Sequence, residues 1–290
     1  MVSSLGNARR IDWVRVALRV YLGAAVAYVL APLVIVVINS LNSTAYNLFP
    51  PPSLTVQWYV HLFHLAQFGS AIRVSLEIAA VTAALALLIG APAALVLTRH
   101  RLRWTDGWRA FLTAPIVIPQ IVFGLAMFIF FLRLGLNGTV TSIVLTHLVV
   151  ALPFVVIVMG AAFLDLDPAL EEAAMDLGAR IPQVAWRVVF PQVRLPLLAA
   201  GAFAFIISFD QLETTLFLVR PGVTTLPVQM FLYMETFQDP TMAALSTLLI
   251  LAVAAGLVVV DAVFLRRSAG APGRRDRASP PVARVEEGTG

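Results

Sequence analysis

The sequence contains no cysteine and no lysine, and it carries little charge for its length. The absence of cysteine excludes a disulfide framework and thiol chemistry. Charged residues form 12% of the chain, whereas about 25% is typical of soluble domains, so an ordinary soluble protein is excluded as well. The chain also has no HExxH, no GxSxG and no phosphate-binding Gly-Lys-Ser/Thr loop. We therefore expect no catalytic residues, and no nucleotide or other cofactor bound by this chain itself.

Apolar residues form 60% of the chain and are gathered into six long runs. A hydrocarbon core about 30 Å thick takes roughly 20 helical residues to cross, so runs of this length predict transmembrane helices. A single run of this kind could be a buried helix of a soluble protein, but six such runs in one chain argue against that interpretation. The first run is too long for a signal-peptide core and no cleavage site follows it, so we interpret it as a retained span. The sequence predicts an all-α membrane protein with six transmembrane helices, at residues 17–38, 70–97, 110–132, 139–164, 197–219 and 241–265.

The arginines are distributed unevenly between the loops that alternate across the membrane. Seventeen of the 20 fall on one side, and only Arg73, Arg133 and Arg220 fall on the other. Positive charge accumulates in cytoplasmic loops, so this bias predicts a cell (inner) membrane protein with both termini in the cytoplasm. It also accounts for the positive net charge without a nucleic-acid partner. The domain prediction is a cytoplasmic tail at 1–16, a transmembrane region at 17–267 and a disordered cytoplasmic tail at 268–290.

The segment 165–196 is a charged stretch between two apolar runs, on the predicted cytoplasmic side. Asp167 followed by Pro168 predicts a helix start, Glu171 suits the positive end of the helix dipole, and Gly178 is a natural helix stop. We expect a short amphipathic helix, a glycine corner and a second short helix that Pro182 opens. A helix lying on the lipid surface is the alternative, although paired glutamates oppose it because anionic headgroups attract basic residues. The predicted apolar face consists of Leu170, Ala173 or Ala174, Leu177 and Ile181.

The spacing in this segment resembles the EAA loop of ABC-importer permeases. The matching residues are Glu172, Ala173 and Ala174, then three residues, Gly178, nine residues, and Val188, Val189, Phe190 and Pro191. Phe190 is a departure, because the family usually has leucine before the proline. The resemblance covers roughly 70–265 and implies the type I ABC-importer permease fold, with the first span as an added N-terminal helix.

The resemblance implies that this loop is the coupling helix that docks on a separate ATP-hydrolysing subunit. Glu172 is expected to pair with a basic residue of that subunit, the alanines to allow close approach, and Gly178 to form the corner. ATP and magnesium would be bound by the partner subunits. The other implied partners are a second permease chain, related but distinct, an extracytoplasmic solute-binding protein and the lipid bilayer. The predicted coupling residues are Glu171, Glu172, Ala173, Ala174, Gly178 and Pro191.

The candidate residues of the translocation path are Ser208, Phe209, Asp210 and Glu213, in the predicted fifth span. Ionisable residues inside spans are costly and are therefore functional candidates. Three residues apart on a helix, the two carboxylates would share one face. Three interpretations stay open: a cation-attracting patch on the translocation path, a hydrogen-bonded packing cluster, or a partial helix break near the outer interface.

Other polar residues receive structural interpretations. Arg73 and Glu77 are spaced for a local i,i+4 ion pair, and an interfacial helix is expected near 56–63. His61 and His64 have the spacing for a shared metal, but no third ligand lies nearby in the sequence, so we predict no metal site.

The stretch 208–251 resembles the spermidine/putrescine-type branch of these permeases. The resemblance implies a polyamine substrate and ATP-driven alternating access. A permease of the same fold for an opine-like or amino-acid-like solute is the main alternative. An ion-coupled secondary transporter is a further one, although it would need inverted repeats, and no convincing repeat is present. The residues that carry the resemblance are Ser208, Phe209 and Asp210, Thr225 to Pro227, Asp239 to Thr241, and Ala244 to Thr247.

Overall fold

The computed structural model describes residues 13–46, 49–99, 104–220 and 222–269, and within them the chain is helical, with two isolated bridges and no strand. The predicted all-α class is confirmed. The predicted tails lie outside the described residues, apart from 13–16 and 268–269, which are helical. The helices are α1 (Trp13–Ser40), α2 (Gln57–His64), α3 (Ala66–Arg99), α4 (Thr105–Thr113), α5 (Gln120–Arg133), α6 (Val140–Leu164), α7 (Pro168–Asp176), α8 (Ile181–Val184), α9 (Phe190–Phe209), α10 (Leu226–Thr236) and α11 (Thr241–Ala269).

Five helical stretches in the described residues are long and apolar enough to span a bilayer, and a bent pair of helices supplies the sixth candidate. The five are α1, α3, α6, the stretch Ile181–Phe209 and α11. The bent pair is Thr105–Ile116 and Gln120–Arg133, whose axes differ by 99°. The prediction of one continuous helix over 110–132 is therefore wrong. Pro119 explains the break, because proline lacks an N–H donor and its ring clashes with the carbonyl four residues earlier.

The fifth span differs from its prediction at both ends. Helix continues from Ile181 to Phe209 through one wide π-helical turn, Ala185–Val189, and also through Pro191, so the short helix expected after Pro182 and the fifth span are one helical stretch. A widened turn accommodates a proline ring that a regular helix would exclude. At the other end, the helix stops at Phe209 rather than continuing to 219. The prediction that Asp210 and Glu213 share a helical face is therefore wrong.

Helices α3, α6 and α9 form the core of the bundle and approach one another closely. A Cβ atom at Gly90 would lie 2.8 Å from Val155 Cγ1, and one at Gly201 would lie 2.9 Å from Leu87 Cδ1. Small residues are needed here because lipid tails are as apolar as the side chains, so the hydrophobic effect does not bring helices together. Close van der Waals packing holds the helices instead. Helix α1 lies at the edge of the bundle against α11 and is exposed along most of its length.

The segment between α1 and α3 contains a helix, α2, where one was predicted, and its place at the membrane interface stays a prediction. Trp58 Nε1 donates to the Asn42 carbonyl at 2.6 Å, which ties α2 to the end of α1. The predicted Arg73–Glu77 ion pair is also present, with 2.7 Å between Nε and Oε1. Among the described residues, no group of three or more histidine, aspartate or glutamate side chains is placed to hold a metal.

Candidate functional site

Helix α7 begins where its capping residues predict. The Asp167 carboxylate accepts a hydrogen bond from the Ala169 backbone N–H at 3.0 Å, and Pro168 occupies the first helical position. A side-chain acceptor at the cap satisfies a backbone donor that has no partner inside the helix. The predicted helix start is confirmed.

Helix α7 ends in a corner that requires glycine. Gly178 has a φ of +83°, its N–H donates to the Met175 carbonyl at 2.9 Å, and the Ala179 N–H donates to the Ala174 carbonyl at 3.0 Å. These two bonds form a Schellman motif, in which the residue after the helix adopts the left-handed conformation. The second short helix, α8, follows at Ile181. The predicted first helix and glycine corner are confirmed, whereas the expected second short helix is the beginning of the long helical stretch Ile181–Phe209.

Beside this corner lies an uncovered surface that we call the docking face: Glu172, Ala173, Leu177 and Ile181. All four residues are exposed, with 90% of Leu177 and 77% of Ile181 accessible. Large apolar side chains grouped on a surface mark a contact site for another molecule. The Glu172 carboxylate makes no hydrogen bond or ion pair within the described part of the chain. A carboxylate and an apolar surface are thus left available together.

Glu171 and Ala174 point back into the chain instead. Glu171 Oε1 lies 2.8 Å from Arg99 Nη2, with the two side chains only 21% and 18% exposed, and Arg99 also donates to the Leu166 carbonyl at 3.2 Å. Ala174 is half-buried against the core. Glu171 therefore anchors α7 to the end of α3, and its predicted contact with a partner stays a prediction.

The corner is continuous with α9. From Ile181 to Phe209 the chain forms one helical stretch of 29 residues, roughly 40 Å long at about 1.5 Å per residue. Pro191 lies within it and is exposed. Of the docking face, Ile181 is therefore joined to the far end of α9 by continuous helix, and the other residues are joined to it through the corner at Gly178.

That far end carries the second group of predicted residues. Asp210 caps α9 and donates its backbone N–H to the Ile206 carbonyl at 3.0 Å, whereas the exposed side chains of Asp210 and Glu213 make no hydrogen bond or ion pair with the described residues. Ser208 is buried, and Phe209 stacks on Phe205 with ring centroids 6.0 Å apart. A helix C-terminus bears a partial negative charge that adds to the two carboxylates. The arrangement favours a cation.

The break after α9 meets the break before α5. Gln211 Nε2 donates to Gln120 Oε1 at 3.3 Å, which joins the first residue of α5 to the non-helical segment 210–214. A Cβ atom at Gly124 would lie 2.7 Å from Thr214 Cα and 3.2 Å from the Glu213 carbonyl oxygen. Interrupted helices that meet inside a bundle are typical of transporter binding sites. The structure therefore brings together the break before α5, which the sequence did not predict, and the break after α9, which was one of the three interpretations left open for Asp210 and Glu213.

We predict that Gly124→Ala lowers transport several-fold, because the added methyl group would force the backbone of 213–214 away from α5. Gly160→Ala is the matched control, since the nearest atom to its added methyl would be Thr98 Cγ2 at 4.0 Å. Initial uptake rates, normalised to the amount of chain in the membrane, measure the effect. Equal rates for the two variants would show that this close approach is not needed for transport.

A buried histidine also belongs to this site and was missed by the sequence analysis. His147 of α6 is 1% exposed, with Nδ1 2.8 Å from Ser208 Oγ and Nε2 2.8 Å from Thr215 Oγ1. Its signal in the sequence was an ionisable residue inside an apolar run, the feature that singled out Asp210. Its partners, more than 60 positions away, left no local pattern.

Comparison with known proteins places these features in a family context. Residues 86–267 match the family model described as "Binding-protein-dependent transport system inner membrane component". The putrescine transport system permease protein PotI of Escherichia coli (strain K12) is 32% identical over 245 residues, 82% of this chain and 86% of that protein. The spermidine/putrescine transport system permease protein PotC of the same strain is 29% identical over 231 residues, 79% of this chain and 87% of that protein.

Among solved structures, a bacterial ABC transporter involved in the import of the acidic polysaccharide alginate contains a chain with a similar fold. The TM-score is 0.69, and the match covers 90% of this chain and 100% of that one. At 19% identity, this likeness concerns the fold alone. It supports the predicted importer-permease architecture.

Proposed function

Because this chain belongs to the family of binding-protein-dependent transport system inner membrane components, we propose that it is a permease subunit of an ATP-driven polyamine importer. The family and the apolar helices make it a multi-pass membrane protein with a transport role. The polyamine substrate, the separate ATPase and the other partner subunits belong to the proposal.

The observation that carries the polyamine proposal is the pair of exposed carboxylates at the end of α9. Asp210 and Glu213 have no counter-ion among the described residues, and they lie where the helix dipole adds negative charge. A flexible polycation would supply the missing charge. The relatives named for putrescine and spermidine transport support the same class of solute.

The docking face supports the proposed coupling to a separate ATPase. Glu172 is available for a basic residue of that subunit, and Leu177 and Ile181 are available for an apolar cleft. Closure of a pair of ATPase subunits would then move the corner at Gly178, and the stretch Ile181–Phe209 would transmit that movement to the carboxylates. ATP and magnesium would be held by those subunits.

The remaining partners follow from the same mechanism. One bundle of this size forms half of a pathway, so a second permease chain, related but distinct, would complete it. A binding protein on the outer side would deliver the solute. The arginine distribution supports cytoplasmic termini and a cytoplasmic docking face.

The test is uptake by a reconstituted complex of this chain with its candidate ATPase, second permease and binding protein. We expect saturable uptake of labelled putrescine or spermidine that requires ATP hydrolysis and is not inhibited by an opine or a neutral amino acid. Uptake that continues without ATP would contradict the importer proposal. ATP-dependent uptake of only the opine or the amino acid would contradict the polyamine proposal.

A further inference from the structure

The buried histidine of α6 joins the two sides of the break in the fifth span. Ser208 lies in the last turn of α9, before the break, and Thr215 begins the single 3₁₀ turn Thr215–Phe217 that follows it. His147 lies between them and contacts one hydroxyl with each ring nitrogen, at 2.8 Å in both cases. One side chain therefore bridges the non-helical segment 210–214.

The direction of these hydrogen bonds follows from the number of hydrogens available. The Thr215 hydroxyl donates its one hydrogen to the Gln211 carbonyl at 2.8 Å, so it accepts from the Nε2–H of His147. The neutral ring then has no hydrogen on Nδ1, which accepts from the Ser208 hydroxyl. The result is a one-way chain from Ser208 through His147 and Thr215 to the backbone of the break.

The other side of the break is held by α5. Gln120 accepts from the Gln211 side chain, and the Gly124 backbone packs against Thr214. The segment between Asp210 and Thr214 lacks a continuous helical ladder, so contacts with α5 and α6 hold it in place. Of these, the chain through His147 reaches residues on both sides of the break.

We infer that His147 is a positioning residue of the translocation path. Through Ser208 and Thr215 it holds the non-helical segment, and with it the carboxylates of Asp210 and Glu213, in the arrangement that receives a cation. This inference rests on the proposed function. An apolar residue would fill the space between the helices without the cost of burying a ring that needs two hydrogen bonds. Positioning gives the histidine a role that packing does not require.

The first measurement compares Thr215→Val with Thr146→Val in the reconstituted complex. Thr146 is a matched control because it is fully buried, lies next to His147, and donates within α6 to the Ser142 carbonyl. We expect Thr215→Val to raise the KM for putrescine about tenfold, with the amount of assembled complex unchanged. Thr146→Val should keep the original KM, and Thr215→Ser, which restores the hydroxyl, should return the KM to within about twofold of the original.

A second measurement does not depend on the solute. The chain has no cysteine, so Glu213→Cys supplies a single thiol whose reaction rate with a membrane-impermeant thiol reagent reports the position of the segment. We expect Thr215→Val to change that rate at least fivefold and Thr146→Val to leave it unchanged. If neither Thr215→Val nor Thr146→Val changes the thiol reaction rate, the positioning role is wrong even if polyamine transport is confirmed. A changed rate in a complex that does not carry polyamines would support positioning while the proposed solute fails. If Thr215→Val lowers the amount of assembled complex but leaves the thiol reaction rate and the KM unchanged, His147 only fills space in the core.

Discussion

Replacing Gly178 with valine is expected to reduce both ATPase co-purification and ATP-driven uptake at least tenfold. Gly178 has a φ of +83°, a conformation that costs an L-residue roughly 1–2 kcal/mol and a β-branched one more. No atom lies within 4 Å of an added Cβ, so the penalty falls on the backbone and not on packing. The corner would open, and Leu177 and Ile181 would move away from Glu172. The docking face would then no longer match a single cleft.

Gly107→Val is the matched control for this prediction. Gly107 also has open space around its Cβ position, but its φ is not in the left-handed region, so valine there should leave co-purification and uptake near their original values. Pull-down of the ATPase from detergent-solubilised membranes measures docking separately from transport. Normal co-purification with Gly178→Val would contradict the docking role of the corner.

A charge reversal tests the same surface without straining the backbone. Glu172→Lys should also release the ATPase, because an exposed carboxylate is replaced by a charge that repels the expected basic partner. Asp165→Lys makes the same change of net charge at an exposed position beyond the end of α6, outside α7. Release by both variants alike would point to net charge rather than to the docking face.

Helix α7 and its glycine corner could be predicted from the sequence because their determinants are local. The cap at Asp167 and the glycine at Gly178 act within a few residues, so capping rules give the helix and its corner directly. The partner of Glu171 could not be predicted in this way. Arg99 is 72 positions away, and only the packing of α7 on α3 brings the two together.

The break before α5 was not predicted, and the break after α9 was only one of three open interpretations, for a different reason. Hydropathy measures whether a segment suits the membrane, and an interrupted segment is as apolar as a continuous one. The segments around Pro119 and Asp210 both lie in apolar runs, so their average hydropathy predicted continuous helices. Pro119 offered a local signal of a break, whereas the stop at Phe209 depends on α5 and α6, to which Gln211 and Thr215 are bonded.

The interrupted fifth span connects the two halves of the proposed mechanism. A continuous helix to 219 would have placed Asp210 and Glu213 on a surface that moves with the whole span. In the observed fold, α9 is continuous with the helix that begins at Ile181 after the Gly178 corner, while segment 210–214 is also held by α5 and α6. A shift of α9 relative to those helices would therefore change how the carboxylates are presented. In the proposed mechanism, this change links opening of the translocation path to release of the solute.

Neutralising the two carboxylates is expected to produce the largest loss of solute affinity. Asp210→Asn and Glu213→Gln should each raise the KM for putrescine about tenfold, since a hydrogen bond to a charged group contributes about 1.5–3 kcal/mol and 1.4 kcal/mol corresponds to a factor of ten. The double variant should raise it roughly a hundredfold if each carboxylate contacts a different ammonium group of the diamine. A smaller combined effect would mean that the two share one cation, because residues acting on one partner are not additive.

Glu77→Gln is the control, because Glu77 is also an exposed carboxylate of a span but is paired with Arg73. Its removal should leave the KM unchanged. The measurement is initial uptake of labelled putrescine across a range of concentrations, at two salt concentrations, with the amount of assembled complex determined in parallel. Higher salt should weaken uptake by the original chain more than by the double variant, because screening acts on the charges that the variant lacks. An unchanged KM in the double variant would leave Asp210 and Glu213 without a role in recognition, and the cation would then have to be selected before it reaches this chain.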